Sequence, residues 1–247
     1  MPEGPSIVIL KEELKSFKGK KVLEVSGNAK IELHRALNLK IKDLKSWGKH
    51  FLICFDGFFF RIHLLMFGSY RINEKKDVPP RLSLKFKTGE FNFYNCSIKL
   101  IEGDVNDHYD WETDVMSESW NSKKVEKKVK ELKKVKACDA LLDQEIFSGV
   151  GNIIKNEVLF RIKVHPDSYM NALSLKKLKE LVKEAHDYSW DFYTWKKKFE
   201  LRKHWRIYRQ KECPRCKIKT ITAYMGKRDR LTCYCANCQE LFVKQRK

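Results

Sequence analysis

The sequence predicts a multidomain α+β protein, in which an N-terminal helix and an antiparallel β-sandwich precede a helical half and a small terminal hairpin module. Three observations support this prediction. Strand patterns run from about residue 20 to residue 101, helical periodicity begins after residue 121, and five of the eight cysteines lie within residues 213–238. The 247 residues suffice for one large domain or two small ones, each with a hydrophobic core.

The first hundred residues predict one helix followed by antiparallel strands. Apolar residues at helical spacing predict a helix over residues 5–17, which Gly19 ends. Asp56-Gly57 separates two apolar runs and predicts a hairpin turn between two strands. Apolar and polar residues alternate over 82–100, so further strands are expected, and residues 1–103 are predicted to form one β-sandwich domain.

The remainder of the chain predicts a linker, a helical domain and the terminal module. Residues 104–121 are acidic and rich in turn-forming residues, which is typical of a linker. Residues 122–204 are predicted to be helical, and residues 205–247 to form the terminal module. The predicted helices cover residues 123–136, 139–148, 152–161 and 174–196, the last with Ser174 as its N-cap.

The formal net charge of +19 favours a polyanionic partner, with nucleic acid ahead of an anionic membrane surface. The alternative is that the charge only keeps the protein soluble. The lysine-rich stripe of residues 123–136 leaves the same two alternatives open, a solvated face or a phosphate contact. No apolar run reaches about 18 residues, and the start lacks the pattern of a signal peptide. We therefore expect an intracellular monomer that does not bind membranes, in the cytoplasm or nucleoid if the source is bacterial.

Two CxxC pairs predict a structural zinc ion. Cys213 and Cys216 are separated from Cys235 and Cys238 by 18 residues. Four thiolates at this spacing suit tetrahedral zinc in a β-hairpin zinc ribbon, and such a site is coordinatively closed. Cys233 is interpreted as a spare thiol, because a C-x-C pair forms a knuckle less readily.

The chain begins Met1-Pro2-Glu3-Gly4-Pro5. Removal of Met1 would leave a secondary amine beside a carboxylate. An N-terminal amine titrates near neutrality, so it is nucleophilic, and a secondary amine condenses with an aldehyde to a cationic iminium. Taken alone, the same residues also fit an ordinary polar N-terminus.

Three further segments are candidates for binding phosphate or bases. Gly149-Val150-Gly151-Asn152 opens a predicted helix, whose N–H groups can bind phosphate. Lys49 follows Gly48 just before the first strong strand. The run His63-Leu64-Leu65-Met66-Phe67-Gly68 ends a strand, and it fits either core packing or an exposed wedge that enters a base stack.

Together these motifs resemble the formamidopyrimidine-DNA glycosylase/endonuclease VIII family. The matches run in order from Pro2-Glu3-Gly4-Pro5 through Gly48-Lys49, the run after His63 and the Gly149–Asn152 turn to the two CxxC pairs. Gly4 favours the endonuclease VIII branch. The resemblance implies a helix–two-turn–helix in the helical domain and a terminal zinc finger.

The resemblance also implies a bifunctional DNA glycosylase and abasic-site lyase of base excision repair. Pro2 would attack the sugar and Glu3 would act as general acid/base. Lys49 would contact the lesion phosphate, Arg230 in the zinc finger would clamp phosphates and assist δ-elimination, and Asn152 would hold phosphate. Oxidised pyrimidines would be favoured as substrates.

The implied partner is damaged DNA, double-stranded or single-stranded. The residues expected to contact it are His63, Leu65, Met66, Phe67, Gly151 and Asn152. The last apolar side chains of the 63–68 run would fill the space of the flipped nucleotide. Ser6 stands where the family usually has a second glutamate, and residues 95–99 lack the Arg and Phe with which the formamidopyrimidine branch contacts the opposite base.

Two alternatives belong to other functional classes. A non-catalytic protein that binds DNA lesions would explain the charge and the metal module, but not the joint presence of Pro2, Glu3, Lys49 and Arg230. A zinc-ribbon RNA-binding factor would require stacked aromatic residues on a sheet face.

Overall fold

A computed structural model describes residues 2–243 of the chain. It confirms the α+β class with antiparallel sheets. Its contacts divide the chain into two compact units, the first ending at Asp110 and the second beginning at Trp111. Met1, whose removal is expected, and residues 244–247 of the predicted terminal module lie outside the described residues. Over the described part, no helix combines the length and the apolar character that crossing a membrane requires.

The first unit contains one α-helix and two four-stranded antiparallel sheets. The sheet orders are β1-β6-β7-β5 and β2-β3-β4-β8. The elements are α1 (Gly4–Glu13), β1 (Glu24–Ser26), β2 (Asp43–Trp47), β3 (His50–Cys54), β4 (Phe58–His63), β5 (Ser69–Ile72), β6 (Leu82–Phe86), β7 (Gly89–Tyr94) and β8 (Ser97–Glu102).

The two sheets pack face to face around a phenylalanine-rich core. The ring of Phe51 on β3 lies 5.8 Å from that of Phe93 on β7, in the other sheet. The predicted hairpin at Asp56-Gly57 is confirmed, because β3 pairs with β4 around this turn. The predicted first helix is shorter than expected: α1 ends at Glu13, and a 3₁₀ turn over Lys15–Phe17 follows it.

The second unit is helical with one β-hairpin, and its elements are α2 (Ser122–Glu131), α3 (Ala137–Ala140), α4 (Asn152–Arg161), α5 (Leu175–Lys197), β9 (Ile221–Met225) and β10 (Arg230–Tyr234). Helix α4 has the predicted bounds. The predicted cap of α5 is confirmed, since the Ser174 hydroxyl accepts the backbone N–H of Lys177 at 3.2 Å. Helix α2 ends at Glu131, five residues before the predicted end.

The helix predicted over residues 139–148 is wrong. Only the four residues of α3 are helical, and turns follow them. The side chain of Gln144 donates to the carbonyls of Leu142 and Val150, each at 3.1 Å, and accepts the N–H of Gly149 at 3.2 Å. These bonds give the backbone partners that a helix would otherwise supply.

The predicted linker, residues 104–121, contributes buried residues to both units. Val105 is buried in the first unit, and Thr113–Met116 in the second. The N–H of Val115 donates to the carbonyl of Ser148 at 3.1 Å. The division between the two units, at Asp110 and Trp111, lies inside the predicted linker. The domain bounds expected from the sequence stay a prediction.

A cluster of aromatic and histidine side chains lies at one end of the β2-β3-β4-β8 sheet. The strand register pairs Trp47 with His50 and His50 with His63. The two histidine rings lie 5.6 Å apart, and the ring of Tyr109 lies 4.9 Å from that of Trp47. Burial, together with the charges of Arg61, His63, Lys49 and Lys99, lowers the pKa of His50 to about 3. His50 is therefore neutral in the folded protein at neutral pH.

This low pKa predicts a loss of stability in acid. Between an ordinary pKa of 6.5 and a folded-state pKa of about 3, the unfolded chain binds a proton at His50 that the folded chain does not. Stability should therefore fall as the pH drops through this range. Replacing His50→Phe should remove up to about 1.4 kcal/mol per pH unit from this dependence, measured by urea unfolding at a series of pH values.

The control is His34→Gln, because His34 is exposed in the folded protein. This variant should keep the pH dependence of the wild type. A His50→Phe variant whose unfolding free energy falls with acid as steeply as that of the wild type would contradict the assignment.

Candidate active site and metal centre

Pro2 and Glu3 lie at the start of α1. Glu3 is the N-cap residue, in extended conformation, and its carbonyl accepts the N–H of Ser6 at 2.8 Å. Pro5 within the first helical turn has the fixed φ that suits a helix start. The Glu3 side chain has no exposed surface, whereas Pro2 is partly exposed. A buried carboxylate thus directly follows a proline that solvent can reach.

Lys49 lies in the two-residue turn that joins β2 to β3. Gly48 precedes it with a left-handed φ of 52°, at the turn position where type II′ hairpins place glycine. The side chain of Lys49 is partly exposed. The glycine therefore makes the tight turn, and the turn presents the lysine at the end of the sheet.

The loop after β4 carries three apolar side chains, for which the sequence allowed either packing in the core or an exposed wedge. The structure exposes them. Leu65, Met66 and Phe67 are 48%, 50% and 79% exposed, whereas Leu64 before them is buried. The loop closes when the N–H of Gly68 donates to the carbonyl of Leu64 at 2.7 Å. Core packing is thereby excluded for these three side chains.

Lys49 and this loop are close to one another because of the strand register. His63, the last residue of β4, pairs with His50, the residue after Lys49. After burial, the charge of Lys49 is the next largest factor that lowers the pKa of His63. A cation, two histidines whose pKa is lowered and an exposed apolar loop thus share one end of the sheet.

In the second unit, Gly151 and Asn152 form the start of α4. Gly151 is the N-cap, and Asn152 is almost fully buried. The side-chain N–H of Asn152 donates to the carbonyl of Leu231 on β10 at 2.8 Å. The structure therefore directs this amide toward the β-hairpin, and its role in phosphate binding stays a prediction.

Lys155 and Asn156 belong to the same contact, although the sequence analysis assigned no role to either. The side-chain nitrogen of Lys155, which has no exposed surface, lies 2.7 Å from the Thr232 hydroxyl and 3.4 Å from the Leu231 carbonyl. The Asn156 side chain accepts the N–H of Cys233 at 2.7 Å. Polar residues spaced three and four apart in an apolar helix share one face, and this spacing was the available signal.

Glu157, on the same helix, holds the chain that leads to the zinc-finger region. Its carboxylate accepts the backbone N–H groups of Arg206, Ile207 and Tyr208 at 2.8–3.0 Å. Burial raises the pKa of this carboxyl, and the three N–H donors oppose that shift. Helix α4 therefore fixes both the start of this region and the strand β10.

The four predicted metal ligands come together. The sulfurs of Cys213, Cys216, Cys235 and Cys238 lie within 4.8 Å of one another. The 3.8 Å between the sulfurs of Cys213 and Cys238 matches the edge of a tetrahedron with Zn–S bonds of about 2.3 Å, which is about 3.8 Å. Asn237 donates to the Cys216 sulfur at 3.3 Å. These residues fit a tetrahedral four-thiolate metal site.

Cys233, interpreted as a spare thiol, lies outside this cluster. Its sulfur accepts the backbone N–H of Arg209 at 3.4 Å and the hydroxyl of Thr222 at 3.7 Å. It is buried next to the β-hairpin and is not one of the four clustered sulfurs.

Arg228 and Arg230, at the tip of the β-hairpin, differ in the contacts of their side chains. Arg228 donates to the carbonyl of Leu142 at 2.8 Å, and the N–H of Lys227 donates to the carboxylate of Asp139 at 2.9 Å. Arg230, the first residue of β10, is partly exposed. Within residues 2–243, no hydrogen bond or ion pair engages its guanidinium group. The tip is therefore docked through Arg228, and Arg230 is available for a ligand.

Comparisons with known proteins identify both halves of the chain. The model of the formamidopyrimidine-DNA glycosylase N-terminal domain matches residues 1–97. The model of the H2TH domain of the same glycosylase matches residues 112–188.

Curated relatives agree with these matches. Endonuclease 8-like 3 of Mus musculus is 32% identical over 206 residues, which cover 80% of this chain and 34% of that protein. Endonuclease 8-like 2 of Bos taurus is 34% identical over 192 residues, which cover 70% of this chain and 56% of that protein. The chain thus spans about a third of the length of the endonuclease 8-like 3 proteins that it matches.

Solved structures share the fold over nearly the whole chain. The formamidopyrimidine-DNA glycosylase of Lactococcus lactis, bound to DNA that contains an abasic site, aligns with a TM-score of 0.83 and 22% identity, over 96% of this chain and 99% of that chain. A viral DNA glycosylase aligns with a TM-score of 0.82 and 21% identity, over 96% of this chain and 100% of that chain. With both domain models, the relatives and the fold in agreement, the chain belongs to the formamidopyrimidine-DNA glycosylase/endonuclease VIII family.

Proposed function

We propose that the protein is a DNA glycosylase and abasic-site lyase of base excision repair, which removes oxidised bases through a Schiff base at Pro2. The observation that carries this proposal is the fully buried carboxylate of Glu3 directly beside Pro2. The resemblance to the family implies that the two groups act together. A buried acid next to a reachable secondary amine supplies both the nucleophile and the proton donor.

The chemistry follows from a secondary amine at residue 2. Its nitrogen bonds to C1′ of the deoxyribose while the bond from C1′ to the damaged base breaks, and the base leaves with the electron pair. The Glu3 carboxylate takes the proton from the Pro2 nitrogen and passes it to the ring oxygen, the C1′–O4′ bond opens as the nitrogen lone pair forms the C=N bond, and an iminium joins Pro2 to C1′. The cationic iminium acidifies the C2′ proton, and loss of that proton expels the 3′ phosphate. A second elimination expels the 5′ phosphate.

The other proposed roles match the chemistry of each residue. Lys49, on the hairpin turn, would bind the phosphate of the lesion and assist the first elimination. Arg230 would hold phosphates around the extruded nucleotide and assist the second. Extruding a nucleotide costs a few kcal/mol, and the exposed side chains of Leu65, Met66 and Phe67 are suited to filling the space it leaves.

Two observations support damaged DNA as the substrate, and a third favours oxidised pyrimidines. The net charge of +19 supplies affinity that does not depend on sequence. The Lactococcus lactis glycosylase that shares the fold was solved with DNA that contains an oxidised pyrimidine. Residues 95–99 lack the Arg and Phe that the formamidopyrimidine branch places there, which favours the endonuclease VIII branch.

Zinc is the metal proposed for the four-cysteine cluster. Zinc bound by four thiolates has no open position, so it would stabilise the fold and take no part in the reaction. Cys213, Cys216, Cys235 and Cys238 would hold it, and the neighbouring Arg215, whose guanidinium lies 3.8 Å from the Cys238 sulfur, would offset part of the thiolate charge.

Replacing Pro2→Ala tests the nucleophile. Borohydride should trap the wild-type protein covalently on DNA with an abasic site, whereas the variant, which has only a primary amine at residue 2, should give far less adduct. Ser6→Ala, one turn further along α1, should retain trapping. Undiminished trapping by Pro2→Ala, or Met1 still present in active protein by mass spectrometry, would refute the assignment. Binding to abasic DNA without cleavage would instead indicate a non-catalytic lesion-binding protein.

Arginine substitutions at the hairpin tip test the phosphate clamp. Arg230→Ala should remove about one phosphate contact, which lowers the slope of log K against log salt by about 0.9, and should shift the cleavage products from δ- toward β-elimination. Arg228→Ala, which removes the bond to Leu142, should lower the melting temperature and leave the product ratio unchanged. Unaltered products and salt dependence in Arg230→Ala would count against the role.

Metal analysis tests the zinc site. The purified protein should contain one zinc per chain. Cys216→Ser should lose the metal and melt at a lower temperature, because zinc binding contributes about 10 kcal/mol or more to the folding of such modules. Cys233→Ser is the matched control and should keep its zinc. Zinc retained in Cys216→Ser, or iron in place of zinc, would refute the proposal.

A further inference from the structure

The segment that follows α5 exposes an aromatic side chain in a basic surrounding. Phe199 is 96% exposed, the largest value among the exposed large hydrophobic side chains of the described residues. Five cations lie within residues 196–204, and the only acidic residue there, Glu200, is paired with Lys203 at 3.1 Å. The cations are Lys196, Lys197, Lys198, Arg202 and Lys203.

The backbone conformation of Phe199 is one that bulky residues avoid. Its φ is 58°, in the left-handed region. Its N–H donates to the carbonyl of Lys196 at 3.1 Å, and the N–H of Glu200 donates to that of Trp195 at 2.8 Å. This bond pair defines a Schellman motif with Phe199 at the position that glycine normally occupies. Burial does not offset the strain, because the ring is exposed.

Contacts of the residues before and after Phe199 hold its turn in place. The ring of His204 stacks on that of Trp195, with centroids 4.1 Å apart and planes 6° apart. Beyond it, Glu157 holds the N–H groups of residues 206–208. A ring presented on a fixed turn loses little conformational freedom when it binds a partner.

The combination of a reachable ring and surrounding cations fits one class of polyanion. Single-stranded nucleic acid binds to proteins through cations that contact its phosphates and aromatic rings on which its unpaired bases stack. In a duplex the bases are stacked inside the helix and do not reach a surface ring. An anionic membrane surface favours a broad apolar face, which one phenylalanine does not supply.

We propose that the turn at Lys196–Lys203 is a second nucleic-acid-binding site, in which Phe199 stacks on an unpaired base and the neighbouring cations bind the phosphates of a single strand. The site uses none of the residues assigned to catalysis above and does not require a damaged base. It would hold single-stranded DNA outside the lesion itself.

Replacing Phe199→Gly tests the proposal without threatening the fold, because glycine is the residue preferred at this position. Binding of the full-length protein to a fluorescent, undamaged oligothymidylate is measured by anisotropy at several salt concentrations. The variant should bind about tenfold more weakly and melt at the same temperature as the wild type or higher. Phe199→Leu keeps apolar volume without a stacking surface and should lose as much affinity.

Lys163→Gly is the matched control. Lys163 has a φ of 59° and occupies the same position in the Schellman motif that ends α4, so the substitution makes the same backbone change elsewhere. It should bind the oligonucleotide nearly as well as the wild type. The effect of Phe199→Gly should persist in an Arg230→Ala background, which separates this site from the proposed active site.

Three results would overturn the proposal. The first is wild-type affinity of Phe199→Gly for the single strand. The second is full affinity of Phe199→Leu, which would show that stacking is not involved. The third is a loss of affinity in Phe199→Gly for fully paired duplex or for anionic phospholipid vesicles, with no loss of affinity for the single strand. Cleavage of a short abasic duplex should be unchanged in Phe199→Gly.

Discussion

The second unit depends on a polar helix face that is buried against a β-hairpin. Lys155 brings an amine into the interior, where a polar group without a hydrogen-bond partner would be strongly unfavourable. The Thr232 hydroxyl and the Leu231 carbonyl accept it, and Asn152 and Asn156 bind the same strand. Because these bonds have definite directions, they fix where β10 begins and therefore where Arg230 lies. A metal held by the four cysteines would stabilise the hairpin from one end, and this helix face positions it from the side.

In the first unit the corresponding constraint is strand register. A β-sheet that slips by one residue turns every side chain to the other face, so the phenylalanine core fixes the pairing. The same pairing sets His50 beside His63, and with them the lysine turn beside the exposed loop. The groups that would contact a phosphate and those that would enter a base stack are thus arranged by residues that take no part in the chemistry. Burial lowers the pKa of both histidines, and the positive charges that act on both come from Lys49 and Arg61.

Local signals in the sequence predicted much of the fold. The Asp-Gly turn, the bounds of α4, the serine cap of α5 and the two CxxC pairs each depend on residues that are close in sequence, and each is confirmed. The failures involve contacts that periodicity does not encode. The helix expected over 139–148 is replaced by turns, because Gln144 bonds the backbone. Burial of Lys155, which was not predicted, depends on a strand 77 residues away. Exposure of Met66 and Phe67 agrees with the wedge, one of the two alternatives left open, and it depends on how the loop closes.

That loop is closed by a residue that leaves no space for a side chain. A Cβ on Gly68 would lie 2.0 Å from the carbonyl oxygen of Leu64, so only glycine fits at the base of the loop. The three side chains between these anchors contribute little to the core. Mutation can therefore exchange them with small effect on folding, whereas the backbone path beneath them is fixed. Sequence change at this loop therefore alters what the exposed side chains can contact while the scaffold is kept, so change in contacts is separated from change in architecture.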